Sequence, residues 1–239
     1  MKTTKENIIT TLEKIRSAQA VSVSELLPLA SALKDAITRN HSGKMEGLQS
    51  LSTSVLLNEN CKKNRTVKGA ICEKCYAARL AALRSQLDEK LDFNTELLTT
   101  CVLPFEVLPT IYSLYFRFEA FGDLNNAVQV VNYFNICKKN PSVSFALWTK
   151  NPHFIEQAIN EYGTEKPSNL NIIYSSLFIN SRNESTAKKY GFIDKVFTVY
   201  SSDFIQANGI EINCGGLHCA TCLKCYTKND IRDISEKLK

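Results

Sequence analysis

Apolar residues recur at helical spacing over two early stretches of the chain. Residues 4–18 place Ile8, Ile9, Leu12 and Ile15 on one face, and residues 24–38 do the same with Leu26, Leu27, Ala30, Leu33 and Ile37. The pattern predicts two helices, the second capped by Ser22 or Ser24, forming a hairpin over residues 1–42 laid against a main body of residues 43–239. Ser50 to Leu57 reads as a strand running toward Cys61, and YAARLAALRSQLDEKL after Cys75 reads as one helix. From Ile111 onward the period alternates. Strands are expected over residues 111–120, 142–148, 171–177 and 195–200, with helices over 124–139, 152–162 and 184–190 between them. Strand and helix in alternation imply an α/β fold of parallel strands with right-handed crossovers, expected here as a partial (β/α) barrel with a Cys-rich C-terminal tail.

In such folds the working residues lie at the C-terminal ends of the strands. That rule selects Gly122 and Asp123, Thr149 and Lys150, Ser175 and Ser176, and Ser201, Ser202 and Asp203. Polar residues also simply terminate strands, so each of them alone carries little weight. As a set they outline a rim, on which Asp123 is the carboxylate placed to meet a cationic group and Lys150 the cation placed to meet a carboxylate or phosphate.

The composition is that of a globular protein, 44% hydrophobic and 22% charged, with a formal net charge of +5. Basic residues are scattered among acidic ones, without a long basic run or interleaved aromatics, so nucleic acid is not the expected partner. The first residues, MKTTKENIITTLEK, have no apolar core of a signal peptide, and no apolar stretch reaches the roughly 18 residues that span a bilayer. The sequence therefore points to a soluble protein of the cytoplasm, where thiols stay reduced.

That setting gives meaning to the cysteines. Seven of the nine fall into two sets, Cys61, Cys72 and Cys75 near the front and Cys214, Cys219, Cys222 and Cys225 at the back. Thiolates two residues apart can wrap one metal centre, because the short turn aims both sulfurs at a common point while its amides hydrogen-bond them. Compact runs of three or four cysteines favour a 4Fe–4S cluster, one or two in number. Zinc, which prefers two such knuckles on facing hairpins, is the alternative. The rear set supplies four ligands by itself; the front set supplies three and leaves one position open. His218, beside four cysteines that already suffice, is expected to sit outside the ligand set. Cys101 and Cys137 stand alone in apolar segments and are expected in the core.

An ordered series of motifs carries a resemblance. Lys44-Met-Glu-Gly and a Ser-rich strand precede Cys61. CxxCYA follows at 72–77, RFEAFGD at 117–123, FALWTKN at 145–151 and CxxCxxCY at the end. Over about residues 43–228 this resembles the bacteriophage "gene product eighty-eight" family, which in turn resembles the partial barrel of radical S-adenosylmethionine enzymes. The resemblance implies an iron–sulfur protein. In those enzymes three cysteines after the first strand hold a cluster whose fourth iron binds the cofactor, and a Gly-Gly-Glu element after the second strand contacts its amino group. Phe121-Gly122-Asp123 stands at that place here. The spacing of Cys61, Cys72 and Cys75 is wider than in those enzymes, so the resemblance implies the cluster more directly than it implies S-adenosylmethionine. Two function classes follow: an iron–sulfur redox or radical enzyme, and a metal-stapled module that binds a partner.

Overall fold

Residues 2–238 are described by a computed structural model of the chain. Seven strands form one sheet in the order β1-β2-β3-β4-β5-β6-β7. They are β1 (Thr38–Arg39), β2 (Gln49–Leu51), β3 (Tyr115–Phe118), β4 (Ser144–Thr149), β5 (Leu170–Ser175), β6 (Lys195–Tyr200) and β7 (Asp233–Lys237). β1 pairs antiparallel with β2, and every later pairing is parallel. Parallel neighbours require crossovers, and helices supply them: α3 (Glu59–Arg65), α4 (Tyr76–Leu83) and α5 (Ser85–Thr99) join β2 to β3, and α6 (Ala127–Lys139) joins β3 to β4. α7 (His153–Tyr162) and α8 (Glu184–Lys189) serve the next two strands, and α9 (Ser202–Asn208) with α10 (Cys219–Cys222) precedes β7. Among the described residues no helix is long and apolar enough to cross a membrane.

The main core lies on one face of the sheet. Phe116 and Phe118 of β3 and Phe145 and Leu147 of β4 alternate inward with period two and meet the apolar side of α6. Phe118 stacks on Tyr133 of α6 with centroids 4.1 Å apart and on Phe145 at 5.3 Å. Cys137 and Cys101 are buried in this core, as their isolation implied. The N-terminal helices α1 (Lys2–Arg16) and α2 (Val23–Ala36) join the same core through Ile8, Leu12, Leu29 and Leu33. Ser22 precedes α2, and the Glu25 carboxylate accepts from its backbone N–H at 2.9 Å, which fixes the start of the helix.

The opposite face carries the alternate residues Tyr115, Arg117, Ala146, Trp148, Ile173 and Phe197. Most of them pack with Leu48 against Cys219, Leu223, Cys225 and Tyr226. The cysteine-rich segment therefore serves as the cover of this face.

Several expected boundaries move. The strand expected over residues 50–57 stops at Leu51, because Ser52, Thr53 and Ser54 spend their polar groups on β3, α5 and their own turn. The single helix expected after Cys75 breaks at Arg84, whose φ of −131° and ψ of 89° leave the helical region. β7, α3 and α9 lie in stretches for which the sequence pattern predicts no element.

Candidate metal centre

The front cysteines lie beyond the C-terminal end of β2. Asn58 precedes α3 and does two jobs: its Oδ1 accepts from the Cys61 N–H at 2.9 Å, and its Nδ2 donates to the carbonyls of Asp123 at 2.8 Å and Leu124 at 3.1 Å. The start of the cysteine segment is thereby fixed to the end of β3. The Ile71 N–H donates to the Leu177 carbonyl at 2.9 Å, which brings Cys72 beside the end of β5. Cys75 ends the short turn, its N–H bonding the Cys72 carbonyl at 3.1 Å, and its residue precedes α4. Cys61 and Cys75 share an apolar cluster with Val55, Ala77 and Ala78.

The charges around these thiols come from the rim. Burial pushes the Cys61 thiol well up, and the nearby Asp123, Cys72 and Glu119 add to that, with Lys150 opposing them. Burial likewise raises Cys72; Lys150 and Arg65 oppose it, and Cys75 adds to it. Lys150 donates from Nζ to Ser175 Oγ at 3.0 Å, spanning the ends of β4 and β5. Its positive charge and the negative charge of Asp123 act on these thiols in opposite directions.

Gly122 and Asp123 serve the scaffold. Gly122 has φ +75°, and a Cβ there would lie 2.5 Å from the Thr53 carbonyl oxygen. Asp123 is buried, and its carboxylate accepts from Thr149 Oγ1 at 2.5 Å, the Lys150 N–H at 2.9 Å and the Leu124 N–H at 2.8 Å. It joins the end of β3 to the end of β4. Burial raises its pKa, while Lys150 and the three donors hold it down.

Glu119, which sequence reasoning passed over, is wholly enclosed. Its carboxyl meets Tyr133 Oη at 2.5 Å, Gln129 Nε2 at 2.6 Å and Thr53 Oγ1 at 3.1 Å, in a backbone of φ +54°. Burial pushes its pKa up to about 8 against the pull of these donors. The signal available was an acidic residue at the end of an apolar strand.

The rear cysteines form a second group. The Cys214 N–H donates to the Ser235 carbonyl at 3.0 Å, beside β7. His218 is exposed and precedes the four-residue helix α10, and Leu223 at φ +55° ends it. The Cys225 carbonyl accepts from Asn171 Nδ2 at 3.1 Å, at the start of β5. Burial first, then the charges of Cys214, Cys219 and Cys222, push the Cys225 thiol up to about 12, with Arg117 opposing. Burial also raises Cys219, opposed by Arg117 and Lys44. Lys44 reaches Cys214 and pairs with Glu236 at 2.7 Å. A cleft of about 660 Å³ opens along Cys214, Gly215, Gly216, Cys222, Lys224 and Glu236. Sequence reasoning missed Lys44, Arg117 and Tyr226; the alternation Tyr115-Phe-Arg-Phe118 was the sign that Arg117 faces away from the main core.

All nine cysteines are free thiols. Among the described residues no three His, Cys, Asp or Glu side chains are drawn together tightly enough to hold a metal ion. The donor chemistry nevertheless fits one. Each set gathers thiols beside cations, Lys150 and Arg65 at the front and Lys44 and Arg117 at the rear. Lys44 is matched by Glu236 and Lys150 lies near Asp123, whereas Arg117 has no carboxylate partner among the described residues, a charge that metal-bound thiolates would balance. Two buried polar atoms beside the rear set, Arg117 Nε and Tyr226 Oη, have no hydrogen-bond partner among the described residues.

No curated protein and no solved structure matches the chain. The family model described as Gene product 88 matches residues 29–237, from the middle of α2 to the end of β7, and the chain belongs to that phage gene product family.

Proposed function

We propose that this chain is an iron–sulfur protein on a partial α/β barrel, with one 4Fe–4S centre at each cysteine set. The observation that supports the reading is that Cys219 and Cys225 pack on the same face of the sheet, with Cys214 and Cys222 close enough to raise the Cys225 thiol and with Lys44 and Arg117 nearby. The barrel-like curvature is supported by strands β2 to β7 following chain order and by the Lys44–Glu236 pair, which links the β1–β2 connection to the last strand.

Cys61, Cys72 and Cys75 would hold the front centre and the four rear cysteines the other. Such a centre carries single electrons, and an iron without a protein ligand can bind a small molecule. Three thiolates at the front leave one iron in that condition. Lys150 stands beside them with a charge suited to a carboxylate, as on the amino-acid end of S-adenosylmethionine. Asp123 is committed to Thr149 and Lys150 and acts by keeping β4, and so Lys150, in place. The front set, on this reading, is the ligand-binding centre and the rear set the closed one.

The test is metal analysis with absorption and paramagnetic resonance of protein prepared without oxygen. Brown protein is expected, with Cys72→Ala and Cys225→Ala each losing part of the iron and Cys101→Ala losing none. Colourless protein holding only stoichiometric zinc would sink the proposal and favour a zinc-stapled, partner-binding module. With iron established, adding S-adenosylmethionine to the reduced protein should alter the resonance spectrum, and Lys150→Gln should weaken that response without loss of iron. An unchanged spectrum at full iron occupancy removes S-adenosylmethionine from the front site.

A further inference from the structure

Arg117 stands on β3 between Phe116 and Phe118. Because those two side chains enter the main core, its own goes to the opposite face, toward the rear cysteines. The guanidinium lies over the Trp148 ring, 3.9 Å from its centroid. Its remaining contacts are weak: Nη1 reaches the Met45 sulfur at 3.3 Å and Nη2 the Glu119 carbonyl at 3.5 Å. No carboxylate pairs with it among the described residues, and Nε is buried without an acceptor. Tyr226 is 3% exposed, held edge-on by Tyr115 at 6.0 Å and Trp148 at 6.1 Å, and its Oη also lacks a partner. Both residues border Cys219 and Cys225.

A half-buried guanidinium whose Nε–H is enclosed without an acceptor and a buried hydroxyl without a partner are both unfavourable. Their common neighbour is sulfur. We propose that Arg117 and Tyr226 are positioning residues of the rear centre, donating hydrogen bonds to its sulfur atoms and setting its reduction potential. The inference rests on the iron–sulfur reading of the rear cysteines. The electron taken up from a one-electron reductant such as dithionite adds one negative charge to the centre, with no bond made or broken. A cation and a hydrogen-bond donor stabilise that added charge, so they raise the potential. The Trp148 ring, 3.9 Å away, fixes where the guanidinium lies on this face.

The experiment uses full-length protein carrying Cys72→Ala, so that iron at the rear site alone reports. Iron is counted first, and the reduced fraction is then followed by paramagnetic resonance during a dithionite titration. Arg117→Gln keeps an amide donor but loses the charge. It should lower the reduced fraction-to-oxidised ratio about tenfold at a fixed potential, equal to about 59 mV for a one-electron couple. Tyr226→Phe should shift it in the same direction by less. Arg117→Lys, which keeps charge without the planar fork, should fall between Gln and the parent. Full iron with no shift in either Arg117→Gln or Tyr226→Phe overturns the inference and leaves the iron–sulfur reading standing. Iron missing from the Cys72→Ala parent overturns both. If Arg117→Gln loses its iron, Tyr226→Phe decides alone: a lowered ratio supports the proposal and an unchanged one rejects it.

Discussion

At the scale of single residues, the ends of β2 and β3 are fitted to one another without slack. Gly122 turns under Thr53 with φ +75°, and any side chain would enter the space of the Thr53 carbonyl, 2.5 Å away, and of the Glu119 carboxyl, 3.0 Å away. Both obstacles belong to a fixed network, one of them backbone, so neither can swing aside. Gly122→Ala combines left-handed backbone strain with overpacking and should cost about 2–4 kcal/mol. The midpoint of urea unfolding measures it, and a change below about 0.5 kcal/mol would show that the turn relaxes freely. The same tightness gives Gly122 and Asp123, expected to receive a cofactor, the task of joining the ends of β2, β3 and β4. A sequence motif marks the turn but does not show which strand its side chains hold.

At the scale of elements, the alternation after Ile111 was legible because its signals are local. β3, β4, β5 and β6, with α6, α7 and α8 between them, stand near their expected places, and β6 matches its expected span. What failed to show in the sequence depends on contacts made far away. β2 contracts to Gln49–Leu51 because Ser52 and Thr53 turn to the end of β3, and no local pattern records that. β7 reads as DISEK, with Ile234 and Ser235 its buried residues, and is a strand only because β6 offers it an edge. The cysteine sets were visible by composition alone. The cations beside them, Lys44 and Arg117, stand about 175 and 102 residues upstream of Cys219, separations across which no spacing rule reaches.

At the scale of the whole molecule, Glu119 makes stability depend on pH in an unusual sense. Its folded pKa of about 8 lies above the ordinary carboxyl value of 4.5, so the folded protein holds a proton that the unfolded chain releases. The stabilisation is complete below the ordinary value and is lost as pH rises through the folded one, at up to about 1.4 kcal/mol per pH unit. Glu119→Gln mimics the protonated form. The stability of the parent minus that of the variant should therefore fall as pH rises from 5 toward about 8, as read by urea unfolding across that range. A difference that stays flat with pH would mean that Glu119 is ionised in the folded state.

The ion pair between Lys44 and Glu236 joins residues 192 positions apart. During synthesis the ribosome must release Glu236 before Lys44 finds its partner, and before β7 can close over Cys214. Cys214 therefore gains its neighbour on β7 only after the last strand has been made, and a chain ended before Asp233 would leave the rear thiols without that edge.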